Sequence, residues 1–478
     1  MRSCLALALC AACLAVPLFA EDWPQWRGPN RNDQSSETGL KKSFDGKAPP
    51  VVWEIKNAGV GYSGPSIHKG KVYLVGATSY ARDAAELIKP SIHKGKVYLV
   101  GGTIEAQKEE PKEKKEEPKG KGRRGGAGQK HVDEVFCLDE ANGKELWRVK
   151  VGKEYEDNGS DSNWGGGPRG NPTITEDGHL YVLGIRGDVF CLKAADGSQV
   201  WTKNYEKDLG GKLMSGWGFS ESPLVDGDKL VCVPGGDKGT LACLNRKNGE
   251  VIWRSTDLKD AAGYSSVVKA NLSGVDQYVV LTGGNVVGVA ADTGKLLWSY
   301  DCKDRYRVAV IPTPVIVGKD MVYATSGYGA GCDLIKITGD ASAQKAEKVF
   351  SNRDLANHHG GVIFKDGYIY GHGDGKGWIC QDTKDGTTKW SSRGAKAPEK
   401  GSVTYADGAL FCYGEDSGTL VVVEANPKEY KELGRFKITG ETKLRRPSGK
   451  FWTHPVIANG KLYLRDQDLL FCYDISGK

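Results

Sequence analysis

Apolar and polar residues alternate along this chain in short runs, and turns rich in glycine separate the runs. One recurring unit places small residues and a proline before a glycine turn, and an alternating run with tyrosine after it, as in NPTITEDGHLYVLG and HPVIANGKLYLRD. Alternation with a period of two is typical of β-strands that bury one face. Each unit therefore predicts two short strands joined by a tight turn.

A second unit follows the first and ends in tryptophan. The glycine of its polar turn always lies four residues before the indole. Asn-Gly, Asp-Gly and Thr-Gly favour the positive φ of a hairpin turn. The outgoing strand then brings each indole to the same depth, where it can pack between neighbouring sheets. The five pairs are Gly143 and Trp147, Gly197 and Trp201, Gly249 and Trp253, Gly294 and Trp298, and Gly386 and Trp390.

The spacing of these landmarks predicts a closed ring of four-stranded sheets. Together with Trp53, Phe350 and Phe436, these tryptophans mark the fourth strand of each repeat. Apart from the long first interval, the landmarks follow one another at the period of propeller repeats, roughly 40–55 residues. The last unit contains three strands, and the segment around Trp53 can complete it. We expect an all-β, eight-bladed β-propeller of four-stranded antiparallel blades, closed by an N-terminal strand that completes the last blade.

A hydrophobic N-terminus precedes the repeats. Arg2 is followed by an uninterrupted run of apolar or small residues that is too short for a membrane span, with Ala20 at the cleavage position. We interpret it as a signal peptide, with a lipoprotein lipidated at Cys13 as the alternative. We expect an exported, monomeric protein of the periplasm or cell envelope without a membrane span. The predicted segments are the signal peptide, 1–20, a lead-in segment, 21–50, and the propeller, 51–478.

The first blade contains an internal duplication. The sequence PSIHKGKVYLVG occurs at Pro65–Gly76 and again at Pro90–Gly101. The offset is about half a blade, so we expect the first copy to form the inner strands and the second to lie outside them. The following stretch, 104–130, is rich in Lys, Arg and Glu and has no aromatic residue. Because this composition cannot offset the entropy of ordering, we predict a disordered insert within blade one that is solvated or touches an anionic surface.

Nine of the 12 cysteines lie beyond the predicted signal. We interpret five of them, which share a strand context, as small buried side chains rather than a disulfide framework. Beyond the predicted signal the sequence has no CxxC, so zinc-ribbon, thioredoxin and covalent-haem functions have no support. The five are Cys137, Cys191, Cys243, Cys380 and Cys472.

The repeat resembles the PQQ-like repeat of the quinoprotein-type propeller superfamily, and the opening DWPQWRGPNRN resembles the lead-in of exported PQQ-like proteins. This resemblance implies a non-catalytic, BamB-like binding or scaffold propeller, with an envelope protein or a small ligand at its mouth. The alternative is a periplasmic PQQ-dependent alcohol or polyol dehydrogenase with calcium. The dehydrogenase branch carries two adjacent cysteines, and this sequence has no Cys-Cys pair, no haem motif and no recognisable calcium ligands. We therefore favour the non-enzymatic function, without a cofactor.

Propeller ligands usually bind near the axis, at the mouth where the first strand of each blade begins. Aromatic, arginine and histidine side chains there could stack on a planar anionic ligand such as a quinone. The same side chains could instead fill the hub, and carbohydrate binding is a further possibility. The predicted ring consists of Asn163, Trp164, Trp217, Tyr264, Arg305, Arg307, His358, His359, Trp452 and His454.

Other kinds of site have little support in the sequence. We predict no metal site at His358 and His359, because adjacent residues of a strand point to opposite faces. The stretch GGDKGT lacks the context of a phosphate loop, and the motifs GxSxG and HExxH do not occur. The formal net charge is +6, half of it in the predicted insert, so we expect no nucleic-acid partner.

Overall fold

Short strands and tight turns account for nearly all of the computed structural model, which describes residues 21–80, 91–93, 96–98, 130–156, 166–394 and 397–477. These residues form eight four-stranded antiparallel sheets and one separate two-stranded sheet, and none of them is α-helical. The sheets are the blades of an eight-bladed β-propeller, so the predicted fold is confirmed. No helix in the described ranges is long and apolar enough to cross a membrane.

Each blade is a meander in which the first strand lies innermost, since first strands of neighbouring blades contact one another. The strands of blades 1 to 4, from inner to outer, are Ser66–His68, Lys71–Tyr80, Lys130–Asp139 and Glu145–Glu156 in blade 1; Thr173–Ile174, His179–Leu183, Asp188–Lys193 and Gln199–Asn204 in blade 2; Leu224–Asp226, Lys229–Cys232, Ala242–Asn245 and Val251–Arg254 in blade 3; and Val268–Leu272, Val275–Leu281, Asn285–Ala290 and Leu296–Asp301 in blade 4.

The second half of the ring follows the same order. The strands of blades 5 to 8, from inner to outer, are Val315–Val317, Met321–Ser326, Gly331–Asp340 and Ala343–Asn352 in blade 5; Val362–Lys365, Tyr368–Gly373, Gly377–Asp382 and Thr388–Ser392 in blade 6; Gly401–Ala406, Ala409–Gly414, Thr419–Glu424 and Glu432–Lys437 in blade 7; and Val456–Ala458, Lys461–Asp466, Leu469–Asp474 and Val51–Ile55 in blade 8.

The N-terminal strand closes the ring. Val51–Ile55 pairs antiparallel with Leu469–Asp474, with Trp53 opposite Cys472 and Ile55 opposite Leu470. This pairing joins the beginning of the propeller to its end, because the N-terminal strand covers the edge that the third strand of blade 8 would otherwise leave unpaired. The predicted closure is confirmed.

The predicted landmarks all lie on outer strands, where each indole packs against the next blade. Trp201 illustrates the contact: its indole nitrogen donates a hydrogen bond to the Arg246 carbonyl of blade 3, at 2.9 Å. The turn glycine Gly249 of blade 3, at φ +75°, lies on the face of the same indole. A Cβ at Gly249 would come within 2.9 Å of the ring, so only glycine fits both the backbone and the contact.

The same register explains the recurring cysteines. All nine cysteines of the described chain are buried and free, so the prediction of small core side chains is confirmed. Five of them lie directly opposite an outer-strand indole, where the corresponding position of blade 4 is Gly288, opposite Trp298. The pairs are Trp53 with Cys472, Trp147 with Cys137, Trp201 with Cys191, Trp253 with Cys243, and Trp390 with Cys380.

The two copies of the duplication have different positions. The first copy forms the inner pair of blade 1, Ser66–His68 and Lys71–Tyr80. The second copy forms the separate two-stranded sheet, Ser91–His93 with Lys96–Tyr98. The expected arrangement is confirmed, while the charged insert before Lys130 and the predicted signal lie outside the described residues.

Candidate functional site

Residues 23–34 of the lead-in segment occupy the axis of the propeller. Their backbone pairs with Ile67 of blade 1 through Trp23, and with Tyr405 of blade 7 through Asp33. The Pro24 carbonyl accepts a hydrogen bond from the backbone nitrogen of Ile174 in blade 2, at 2.9 Å. These partners are inner strands on several sides of the ring, so the segment lies at the centre and satisfies inner edges that would otherwise be unpaired.

Two buried arginines fasten this segment. Arg27 forms a 2.5 Å ion pair with Asp33, and both side chains are about 1% exposed. Its guanidinium also donates to the Val362 carbonyl of blade 6, at 2.9 Å. Arg31 donates to the Ser222 carbonyl ahead of blade 3, at 2.5 Å. Burial lowers the pKa of Arg31 to about 9, and the nearby Glu221 carboxyl opposes this change.

A cavity of about 210 Å³ lies above the lead-in segment, at the mouth where the first strands of the blades begin. Trp26 and Arg27 of the lead-in segment line it together with side chains from at least six blades. Six residues of the predicted ring line this axial cavity: Trp217, Tyr264, His358, His359, Trp452 and His454.

Aromatic rings give the axial cavity most of its character. Trp452 lies between Tyr62 and His359, with ring centroids 5.0 Å and 5.7 Å away. Trp26 packs on His454 at 4.5 Å, and its indole nitrogen donates to the Thr313 hydroxyl at 3.3 Å. These mutual contacts hold the rings in place, so the cavity is preformed for an apolar or planar group.

Four members of the predicted ring are not placed in the axial cavity. Arg305 turns away to form a 2.5 Å ion pair with the buried Asp333, and Arg307 lies at the surface, paired with Asp304 at 3.3 Å. Their expected place in the ring is corrected, because neighbouring carboxylates hold both guanidinium groups elsewhere. Asn163 and Trp164 lie outside the described residues.

Sequence reasoning missed several lining residues, including Trp26, Arg27, Tyr62, Arg169 and Tyr328. Trp26 and Arg27 belong to the lead-in segment, which does not share the repeat. Arg169 donates to the Trp217 carbonyl at 2.7 Å and lies over the Tyr62 ring. The GYSG motif that contains Tyr62 resembles other blade starts, and this resemblance could have identified Tyr62 as a lining residue.

His358 and His359 do not lie in a strand, so the expectation that they point to opposite faces is wrong. They occupy a bend before blade 6, in which the Asn357 side chain accepts a hydrogen bond from the Gly361 nitrogen, at 3.0 Å. One ring nitrogen of each histidine and one carboxylate oxygen of Glu415 all lie within 4.8 Å of one another. The bend therefore brings three potential ligand atoms together.

Burial controls the charge of this group. Burial lowers the pKa of His358 to about 4 and that of His359 well below its usual value, and it raises the pKa of Glu415. Both imidazoles are therefore neutral near pH 7. The Glu415 carboxylate accepts a hydrogen bond from the Trp452 indole, at 2.9 Å.

The described residues do not fit PQQ with calcium. PQQ is a planar tricarboxylate, but the two arginines of the axial cavity are engaged, Arg27 with Asp33 and Arg169 with a carbonyl. Calcium prefers oxygen ligands, whereas the available ligand group contains two imidazoles and one carboxylate. The nine described cysteines are dispersed among the strands and are all free.

The strand order, ring closure and axial cavity define a closed propeller of the PQQ-like class. Within that class, a family model described as outer membrane protein assembly factor BamB matches residues 132–392, more than half of the chain, and the chain belongs to this family. The outer membrane protein assembly factor BamB of Shewanella oneidensis is 27% identical over 125 residues. That match covers 26% of this chain and 30% of the relative, so the chain spans less than a third of the relative's length.

Solved structures of low identity share the fold. The quinohemoprotein alcohol dehydrogenase of Comamonas testosteroni is 12% identical, with a TM-score of 0.54, over 96% of this chain and 81% of that one. The quinohemoprotein alcohol dehydrogenase ADHIIG of Pseudomonas putida HK5 is 11% identical, with a TM-score of 0.56, over 96% and 80%. At such identity the likeness concerns architecture alone.

Proposed function

We propose that this protein is a non-catalytic binding propeller of the cell envelope, and that it docks a protein partner at the axial cavity. Membership of the BamB family supports a role in outer membrane protein assembly, the role that the name of these relatives states. The hydrophobic N-terminal segment supports export to the envelope.

The observation that carries this proposal is the preformed aromatic mouth above a floor whose charges are already paired. Arg27 and Asp33 neutralise each other below the axial cavity, so the surface offered to a partner consists mainly of ring faces. Aromatic pockets of this kind accept the buried anchor side chains that dominate protein interfaces. Tyr328 lies at the rim and is 58% exposed, where a bound partner would cover it.

Crosslinking in cells tests the proposed docking. A photoreactive amino acid in place of Tyr328 should capture a discrete envelope protein, because the rim borders the occupied cavity. The matched control is the same amino acid at Ile252, which is 49% exposed on the outer strand of blade 3. Replacement of Trp452 by Ala should weaken the Tyr328 crosslink. Equal products from both positions, or none from Tyr328, would contradict the proposal.

The competing function is a PQQ-dependent dehydrogenase, which the shared architecture of the two alcohol dehydrogenases suggests. Reconstitution with PQQ and Ca²⁺, followed by absorbance and dye-linked alcohol oxidation, separates the two functions. Absence of PQQ binding at micromolar concentration would support the binding propeller. A bound cofactor with turnover would overturn it.

A further inference from the structure

The group formed by His358, His359 and Glu415 contains polar atoms without ordinary partners. Neither ring nitrogen of His359 makes a hydrogen bond, nor does Nδ1 of His358, among the residues that the structure describes. The His359 side chain is only 6% exposed. Buried polar atoms normally have partners, because an unpaired one loses its hydration without compensation. This arrangement therefore needs an explanation beyond packing.

The chemistry of the three groups matches a metal ion better than a further hydrogen bond. Neutral imidazoles offer lone pairs, and a carboxylate offers negative charge. Two imidazoles and one carboxylate are the ligands that borderline divalent ions such as Zn²⁺ prefer, whereas Ca²⁺ and Mg²⁺ favour oxygen alone. The His359 Nδ1 and Glu415 Oε2 atoms are 3.6 Å apart, which is compatible with two ligands of one ion.

Neighbouring residues hold these side chains in position. Asn357 fixes the bend by donating to the His372 carbonyl and by accepting from Gly361, at 3.1 Å and 3.0 Å. Trp452 donates to Glu415, the kind of outer contact that orients a ligating carboxylate. The nearby cation Lys400 forms an ion pair with Asp374 at 3.2 Å, which offsets its repulsion of a second cation.

We propose that His358, His359 and Glu415 form a binding site for one divalent transition metal ion of the Zn²⁺ type, at the wall of the axial cavity. Both histidines line that cavity. Three protein ligands leave a coordination position open, and a carboxylate or imidazole of a bound partner could occupy it. The metal site does not depend on the proposed docking function, since it can bind Zn²⁺ without any partner.

Metal titration of the folded protein tests this proposal. The full chain, without a polyhistidine tag and after treatment with a chelator, should bind one Zn²⁺ in calorimetry and in elemental analysis after dialysis. Glu415→Gln preserves the shape and an acceptor for Trp452 but removes the charge, and it should weaken Zn²⁺ binding at least tenfold. His359→Gln should have a similar effect. Melting curves recorded without metal establish that each variant is folded.

His372→Gln is the matched control, because His372 lies near His359, is half-buried, and is not one of the three members of the group. This variant should bind Zn²⁺ as the parent chain does. A tenfold excess of Ca²⁺ should not displace the ion. A folded chain that binds no Zn²⁺ at about 100 μM, or a Glu415→Gln variant with unchanged affinity, would overturn the proposal.

Cobalt substitution separates this site from binding by thiols. All nine described cysteines are buried and should not compete in the folded chain. We expect Co²⁺ to give visible absorption bands of nitrogen and oxygen ligation, without the intense near-ultraviolet band of a thiolate complex. A thiolate band with full occupancy would assign the ion to cysteines and refute the site.

Discussion

At the outer strands of the propeller a related contact recurs in most blades, whereas around the axis each blade contributes a different set of side chains. On the rim, an indole such as Trp201 meets a carbonyl and a turn glycine of the next blade. At the centre, the side chains of Arg27 and Trp26 bond groups more than 280 residues away in sequence. One region is built from local spacing, and the other from convergence of distant segments.

This difference separates stability from function. If a substitution removes the indole contact of one blade, the equivalent contacts of the other blades remain in place. A unique ion pair at the axis has no second copy, and the axial cavity depends on it. We therefore expect substitutions at the axis to have larger effects than comparable ones on the rim.

Arg27→Ala should have the largest effect. It leaves the Asp33 carboxylate buried without its partner, and such a loss costs about 3–5 kcal/mol. Urea denaturation should report the decrease in the free energy of unfolding. The control is Lys42→Ala, which removes a half-exposed ion pair of the same lead-in segment with Asp407 and should cost under about 1 kcal/mol. Equal losses in both variants would show that the axial pair is not distinctive.

Glu221, next to the lead-in segment, should make stability depend on pH. Burial raises the pKa of Glu221 to about 7, while the Val233 nitrogen and the Tyr205 hydroxyl partly oppose this increase. Between pH 4.5 and 7 the folded state keeps a proton that the unfolded state has released. The free energy of unfolding that Glu221 contributes is therefore largest below pH 4.5, and it decreases as pH rises to 7.

Glu221→Gln removes this titration. The stability of the variant relative to the parent chain should increase by on the order of 3 kcal/mol between pH 4.5 and 7. The difference between the two chains is the quantity to measure, because burial also raises the pKa of Asp133 and Asp466 to about 6. Glu206→Gln, at an exposed position, should leave the pH dependence unchanged. A constant difference between the Glu221 variant and the parent chain would refute the prediction.

The rim could be predicted from the sequence because its geometry is local. Gly249 lies four positions before Trp253, and that spacing alone determines how a hairpin positions its indole. The ring closure followed from counting strands, which placed Trp53 in the last blade. These inferences needed no knowledge of which distant residues meet.

The axis could be predicted only in part, for the opposite reason. The starts of the blades indicated Trp217 and Trp452, because a propeller brings all such segments to one mouth. No local pattern shows that Arg27 reaches Val362, or that Asp333 draws Arg305 away. Sequence reasoning treats the adjacent histidines as strand residues, whereas the bend that brings them together depends on the hydrogen bond from the Asn357 side chain to the His372 carbonyl.

On the rim, Gly249→Ala tests the contact between a turn and the preceding indole. A methyl group there would meet the Trp201 ring at 2.9 Å. Gly178→Ala is the control, since Gly178 also has a positive φ, +80°, but has nothing within 4 Å of the added group. Both variants share the backbone penalty, so the additional loss at Gly249 measures crowding, about 1–3 kcal/mol. If the two variants lose equal stability in thermal unfolding, the Trp201 ring moves aside at no cost and crowding is refuted.

The smallest effect should come from the hydrogen bond of a single indole. Trp201 donates to the Arg246 carbonyl, whereas the buried indole nitrogen of Trp253 has no partner in the described structure. The Ala291 carbonyl, at the matching position, accepts a hydrogen bond from Lys229 instead. Trp201→Phe and Trp253→Phe lose similar ring area, because the two indoles are 8% and 9% exposed. Trp201→Phe should therefore destabilise the protein by about 1 kcal/mol more in urea denaturation. If the two variants lose equal stability, the repeated indole contact on the rim consists of packing alone.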